Sequence, residues 1–186
     1  SDSGKLCGPK AANLGQLKKM FPEQVVEGLV IPFGIFKEHM NKKMPNRDIS
    51  YWTFLNTMFA EAEKMRTNGV TEAGVENYQL QQLEILRKAI KVMPLNPDFI
   101  SQLESQFTTI LGNKNKIIEG IKAVWASPYT ERSFKWRQKY LLNPENVFPS
   151  ILVIPSVDVD YSGVLITKGI SNGEENDLTV AFSRGA

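Results

Sequence analysis

One cysteine, Cys7, and one histidine, His39, are all that the 186 residues contain of either type. A single thiol excludes an intrachain disulfide and a cysteine-based metal site. It fits a reducing compartment, so a cytoplasmic location is expected. No stretch approaches the roughly 18 to 20 consecutive apolar residues that a membrane span needs. The opening Ser1-Asp2-Ser3-Gly4-Lys5 lacks the basic-then-apolar order of a secretory leader. Net charge is small: 22 basic against 20 acidic residues leave a formal +2. That excess does not support a nucleic-acid or membrane surface, so any anion site must be local. No Walker A loop, dinucleotide fingerprint or Ser/His/Asp arrangement is present, and no arginine occurs between Arg87 and Arg132. Both ends, the first at Ser1 and the last at Ser183-Arg184-Gly185-Ala186, read as cut points, and a fragment is expected.

What is present is ordinary globular material. Hydrophobic residues make up 42% and charged residues 23%, enough apolar surface for a core in one domain or one domain plus an appendage. Pro9 opens a short amphipathic helix carrying Leu14, Leu17 and Phe21, which Pro22 ends. Val25 to Ile31 reads as a strand closed by Pro32 and Gly34, with a short helix over Phe36 to Lys42. From Ser50 the character turns helical. Trp52, Leu55, Phe59, Ala62 and Met65 define one helix stopped by Asn68-Gly69. Thr71 caps a second, with Val75, Leu83, Leu86, Ile90 and Met93 along one side, so the two predict a helical hairpin.

After Pro94 and Pro97 a helix is expected over Asp98 to Phe107, then another over Lys114 to Ala126 with Ile117, Ile118, Ile121, Val124 and Trp125 as its stripe. Ser127-Pro128 is read as the cap and first position of a further helix. Val147 to Val157, Gly163 to Thr167 and Leu178 to Phe182 are strand-like, separated by turns. The fold class is therefore α+β: a small strand, a helical middle and a C-terminal antiparallel ribbon or sheet. The boundaries expected are 1–49, 50–107 and 108–186.

Lys10 is the sharpest single signal. A cation in the first turn of a helix opposes the macrodipole by a few tenths of a kcal/mol or more. A phosphate drawn to the free N–H groups there would reverse that sign. Periodicity alone still leaves a solvated surface lysine as the commoner explanation. Arg132, Lys135 and Lys139 share one face of the helix after Pro128, with Arg137 pointing elsewhere, and such a face is more often simply solvated. Trp136 and Tyr140 are expected in the core. Glu174-Glu175 reads as solvated loop. His39 has no second histidine or cysteine beside it, so zinc is implausible and a surface or partly buried imidazole is expected. Cys7, next to Gly8, reads as a small packing residue.

Three stretches carry a resemblance. Gly8-Pro9-Lys10-Ala11-Ala12-Asn13-Leu14-Gly15 with Val30-Ile31-Pro32-Phe33-Gly34, then Val124-Trp125-Ala126-Ser127 with Arg132 and Arg137, then Ser162-Gly163-Val164-Leu165-Ile166-Thr167 occur in that order. They resemble successive motifs of the phosphoenolpyruvate synthase and pyruvate phosphate dikinase family. The resemblance implies an ATP-grasp nucleotide-binding domain, here incomplete, with a helical insertion. In that family MgATP phosphorylates a histidine on a separate swivelling domain, and the phosphoryl group passes to pyruvate in another domain. Lys10 then matches the lysine on the ATP phosphates. Arg132 and Arg137 match phosphate or structural positions. The strand around Ile154, Ser156 and Val157 matches the segment whose backbone lies against adenine.

The sequence also departs from the family. Its Val-Arg-Ser-Ser strand, which supplies an arginine to the phosphates, has no counterpart where Phe107 meets Thr108. The metal-binding carboxylates, the phosphohistidine domain and the pyruvate domain would all lie downstream of Ala186. The expected function is thus the nucleotide-binding part of such a dikinase, with ATP and Mg2+ as cofactors in the intact protein and the fragment itself inactive. The alternative is a degenerate, non-catalytic relative acting as a regulatory or docking module.

Overall fold

The structure, a computed structural model, describes residues 3–110, 114–140 and 147–185. It divides into two units, Ser1–Ile154 and Pro155–Ala186. In chain order the elements of the first are α1 (Ser3–Met20), β1 (Leu29–Ile31), α2 (Phe33–Met40), α3 (Tyr51–Thr67), α4 (Glu72–Lys91), α5 (Pro97–Ile110), α6 (Lys114–Ala126), a 3₁₀ turn (Ser127–Tyr129), α7 (Glu131–Tyr140) and β2 (Ile151–Val153). The second unit holds β3 (Tyr161–Ile166) and β4 (Thr179–Arg184). Helices with two small antiparallel sheets make this an α+β chain.

The helical hairpin forms for the expected local reasons. Ser50 Oγ accepts from the Thr53 N–H at 3.0 Å and Thr71 Oγ1 from the Gly74 N–H at 3.2 Å, satisfying donors that begin α3 and α4. Val75, Leu83, Leu86 and Ile90 of α4, and Met93 just beyond it, are all buried, so the helical period does place one stripe inward. The core centres on Trp125, whose ring lies 5.8 Å from Phe36, 6.2 Å from Phe99 and 4.9 Å from His39.

His39 is not a surface group; it is wholly buried. Its Nδ1–H donates to the Ile35 carbonyl at 2.7 Å, and its Nε2 accepts from the Asn96 N–H at 3.0 Å. A carbonyl can only accept and an amide N–H can only donate, so both ring nitrogens are assigned and the imidazole is neutral. Burial dominates and, with Lys42, holds its pKa below the ordinary value against Ile35 and Glu38. Glu38 also reaches Asn96, whose Nδ2 donates to Oε1 at 2.9 Å. The α2 helix is thereby clasped to the start of α5.

Several expectations are corrected. The strand read over Val25–Ile31 keeps only Leu29–Ile31, because the N–H groups of Gln24 and Val25 turn back to Phe21 O. Lys18 Nζ secures that turn, donating to the carbonyls of Pro22 and Val25 at 2.7 Å each. From Val147–Val157 only Ile151–Val153 is strand, and it pairs with β1, Val30 opposite Leu152. The C-terminal ribbon is the separate β3–β4 pair, Gly163 opposite Phe182. Ser127 is not the cap of α7: its Oγ donates back to Val124 O at 2.8 Å, while Thr130 Oγ1 accepts from the Ser133 N–H at 3.4 Å. Trp136 and Tyr140 are 57% and 58% exposed rather than core. The backbone of α5 runs unbroken through Phe107 and Thr108.

Candidate functional site

Two places in the first unit carry the expected chemistry. The first is the start of the Pro9 helix. Gly8 interrupts α1 with φ 79° and ψ 165°, a region open essentially to glycine alone. Ser150 Oγ donates to the Cys7 carbonyl at 2.7 Å and holds the turn from outside. A Cβ on Gly8 would meet that oxygen at 3.0 Å. Gly8→Ala is therefore expected to destabilise the protein by about 1–3 kcal/mol, the cost of such backbone strain. Urea denaturation checks it, and an unchanged midpoint would mean the turn relaxes freely. Lys10 follows two residues later and is exposed.

The second place is a cleft of about 490 Å³ lined by Ser127, Pro128, Arg132, Ser133, Trp136, Arg137 and Val147. Its wall is built by α7, whose Phe134 and Arg137 fall one turn apart on the inward side. Phe134 is fully buried and Arg137 only 6% exposed. Arg137 Nε has no hydrogen-bond partner, and among the described residues no carboxylate pairs with this guanidinium. Burial lowers its pKa, partly offset by the neighbouring Tyr129. The Tyr129 hydroxyl is likewise buried without a partner, and burial raises its pKa.

The basic face expected on α7 is thereby divided. Lys135 is neutralised in place, with Glu76 at 2.6 Å and Glu131 at 2.9 Å. Those two carboxylates raise its pKa and remove it as an anion ligand. Arg132 remains at the cleft mouth, with no ion pair among the described residues. The structure thus brings Arg132 and Arg137 together.

Lys10 does not line this cleft, but the two places share a segment. Val147 lines the cleft, and Ser150, three residues on, holds the Gly8 turn. At most about 11 Å of extended chain separates those two residues. Ile154 ends the first unit, 47% exposed, whereas Ser156 and the 61% exposed Val157 lie in the second. Sequence reasoning did not find Tyr129, Ser133 or Trp136 as site residues. The spacing Phe134-x-x-Arg137 was the signal, since it places a guanidinium on the buried stripe.

Among the described residues no group of three or more His, Cys, Asp or Glu is placed to hold a metal ion. No helix there is long and apolar enough to cross a membrane.

Residues 97–186 match the family described as "Pyruvate phosphate dikinase, AMP/ATP-binding domain". The chain is 23% identical over 189 residues to an α-glucan water dikinase, chloroplastic, of Citrus reticulata, covering 98% of this chain and 12% of that protein. It is 24% identical to α-glucan water dikinase 2 of Arabidopsis thaliana, covering 96% and 13%. To α-glucan water dikinase 1, chloroplastic, of the same plant it is 22% identical, covering 97% and 12%. The chain therefore spans about an eighth of the length of these relatives. Residues 97–186 are thus similar to the AMP/ATP-binding domain of the dikinase family that the motifs resemble.

Proposed function

We propose that the chain is the nucleotide-binding part of a dikinase, an incomplete ATP-grasp-like domain that presents ATP for phosphoryl transfer to a histidine on a separate swivelling domain. The observation that carries this reading is the arginine cleft lying inside the stretch similar to an AMP/ATP-binding domain. Its volume of about 490 Å³ falls in the usual range for small-ligand sites. Phosphoryl transfer depends mainly on positioning and charge neutralisation, which guanidinium and ammonium groups supply. Lys10, Arg132 and Arg137 are the proposed phosphate contacts, and Ile154, Ser156 and Val157 the proposed adenine-side segment. Mg2+, which this reading implies, would find no cluster of carboxylates among the described residues.

Pyruvate is the final acceptor that the motifs imply. The relatives named for α-glucan favour a glucan in its place. Downstream domains carrying the phosphohistidine and the acceptor site are part of the same proposal. So is a cytoplasmic setting, although two of the relatives are named chloroplastic. The second reading is a degenerate, non-catalytic module. The absence of arginine between Arg87 and Arg132 favours it.

Titration of the protein with ATP by calorimetry tests the first reading. Lys10→Ala is expected to weaken ATP about tenfold to a hundredfold, the worth of one charge-assisted contact. Equal affinity would remove Lys10 from the site. No binding by the unsubstituted chain would favour the non-catalytic reading.

A further inference from the structure

A helix is ordinarily held in place by the apolar stripe that it buries. Over residues 6–20 α1 has none: no side chain there is buried, and Leu6, Leu17 and Met20 are largely exposed. Its position therefore rests more than usual on polar ties at its two ends. At the far end Lys18 Nζ donates to the carbonyls of Pro22 and Val25. At the near end Ser150 Oγ donates to the Cys7 carbonyl, from 143 positions along the chain. Among the described residues no other side chain hydrogen-bonds to this turn.

Ser150 is well placed to hold it. The residues that follow form β2, whose Ile151 and Leu152 pair with Ile31 and Val30 of β1, and Ile151 is buried. The hydroxyl thus projects from a backbone fixed by the sheet. The missing Cβ of Gly8 is what lets it come so near, since a Cβ would stand 3.0 Å from Ser150 Oγ. Pro9 has a fixed φ and no N–H, so the first turn takes its course from Cys7 and Gly8. Lys10 comes next, exposed and with no ion pair among the described residues. Where its ammonium is offered depends on the turn behind it.

We infer that Ser150 is a positioning residue: its hydroxyl fixes the Gly8 turn, and through that turn the place at which Lys10 meets a phosphate. The inference rests on the proposed role of Lys10 and adds to it a residue that touches no ligand. The same short segment runs on from Ser150 through β2 to Ile154, the proposed adenine side. One stretch of backbone therefore sets the spacing between the two ends of the nucleotide.

The test uses the full chain, with ATP and adenosine as separate probes in calorimetry, and amide hydrogen exchange over residues 10–14 without ligand. Ser150→Ala is expected to weaken ATP about threefold to tenfold, the worth of one hydrogen bond, and to leave adenosine unchanged. In a Lys10→Ala background the same change is expected to weaken ATP no further, because both substitutions remove one and the same contact. Ser150→Thr keeps the donor and is expected to bind ATP as the unsubstituted chain does. Without ligand, the amides over residues 10–14 are expected to exchange faster in Ser150→Ala than in either hydroxyl-bearing protein.

Equal ATP affinity with and without the Ser150 hydroxyl overturns the inference and leaves the ATP reading standing. So does a double variant in which the two losses multiply, because Ser150 then acts by another route than Lys10. An equal loss for adenosine, or a threonine variant as weak as alanine, overturns it too. Unchanged exchange over residues 10–14 does the same, since the turn is then held without the hydroxyl. Absence of ATP binding by the unsubstituted chain is the failure of the ATP reading itself, and this inference falls with it.

Discussion

Truncation of Trp125 to alanine is expected to lower the unfolding free energy by about 3–5 kcal/mol, the usual loss for a large aromatic removed from a packed core. Natural domains have only about 5–15 kcal/mol in total, so the variant should be largely unfolded at moderate urea. The size follows from its position: the indole is fully buried and touches the rings of Phe36, His39 and Phe99. It therefore joins α2, α5 and α6 in one cluster. Trp125→Phe is the informative partner. The indole Nε1–H is buried without an acceptor, so phenylalanine removes an unsatisfied donor along with some volume. Its loss should be clearly smaller than that of alanine. Urea unfolding followed by circular dichroism measures both. An alanine variant that lost under about 1 kcal/mol would show that the three helices are not held at this point.

Acid should weaken the protein through His39 as pH falls below the ordinary histidine value. Burial holds its folded pKa below the ordinary 6.5, so below that pH the unfolded chain binds the extra proton and the folded one resists it. Stability is then full above the unfolded value of about 6.5 and falls as pH drops beneath it, by at most about 1.4 kcal/mol per pH unit. The fall ends once pH passes the folded pKa. The structural cause is direct: Nε2 accepts from the Asn96 N–H, and a protonated ring has only donors to offer. His39→Leu tests the assignment with two readouts. At neutral pH it should lose about 1–3 kcal/mol, because the Asn96 N–H is left without its acceptor. Between about pH 6.5 and pH 5 it should show a flatter stability profile than the unsubstituted protein. A leucine variant with the same acid slope would place the titrating group elsewhere.

Helix positions were legible wherever a local signal and an apolar period agreed. Thr71 with Val75, Leu83, Leu86 and Ile90 is the clearest case, because cap and stripe are both written in consecutive residues. Strand partners were not legible. Ile151 to Val153 has the composition of a strand whichever neighbour it takes, and its pairing with Leu29 to Ile31 is decided about 120 residues away in the chain. The misplaced start of β1 has a similar origin: Val25 and Val26 are β-branched, but the Lys18 ammonium and the Phe21 carbonyl hold that stretch as a turn.

At the site, the motifs named Arg132 and Arg137 but not their difference. Periodicity alone could not tell which α7 face turns inward, because the helix is polar nearly all round. Trp136 and Tyr140 were assigned to the core on their apolar character. The inward side was taken instead by Phe134, which packs on Phe59 of α3, and by Arg137, which neighbours Tyr129 of the preceding turn. The exposed Lys135 likewise lost its role to Glu76, a partner on another helix. Charges reveal an anion site only once their acidic neighbours are known.

The His39–Asn96 clasp has a further consequence, for how the chain can vary in length. It joins residues 57 positions apart, and the whole of α3 and α4 leaves and returns through that point. The bridge between Lys43 and Ser50 fixes the departure. Core contacts of the hairpin lie along its shaft, at Leu55, Met58, Leu83 and Leu86, whereas its tip at Asn68-Gly69 is exposed. Closing a longer flexible loop adds only about 0.6 kcal/mol for each doubling. The tip is therefore a point of insertion tolerance, where related chains can gain or lose whole turns while the clasp, the Trp125 cluster and the arginine cleft keep their registration.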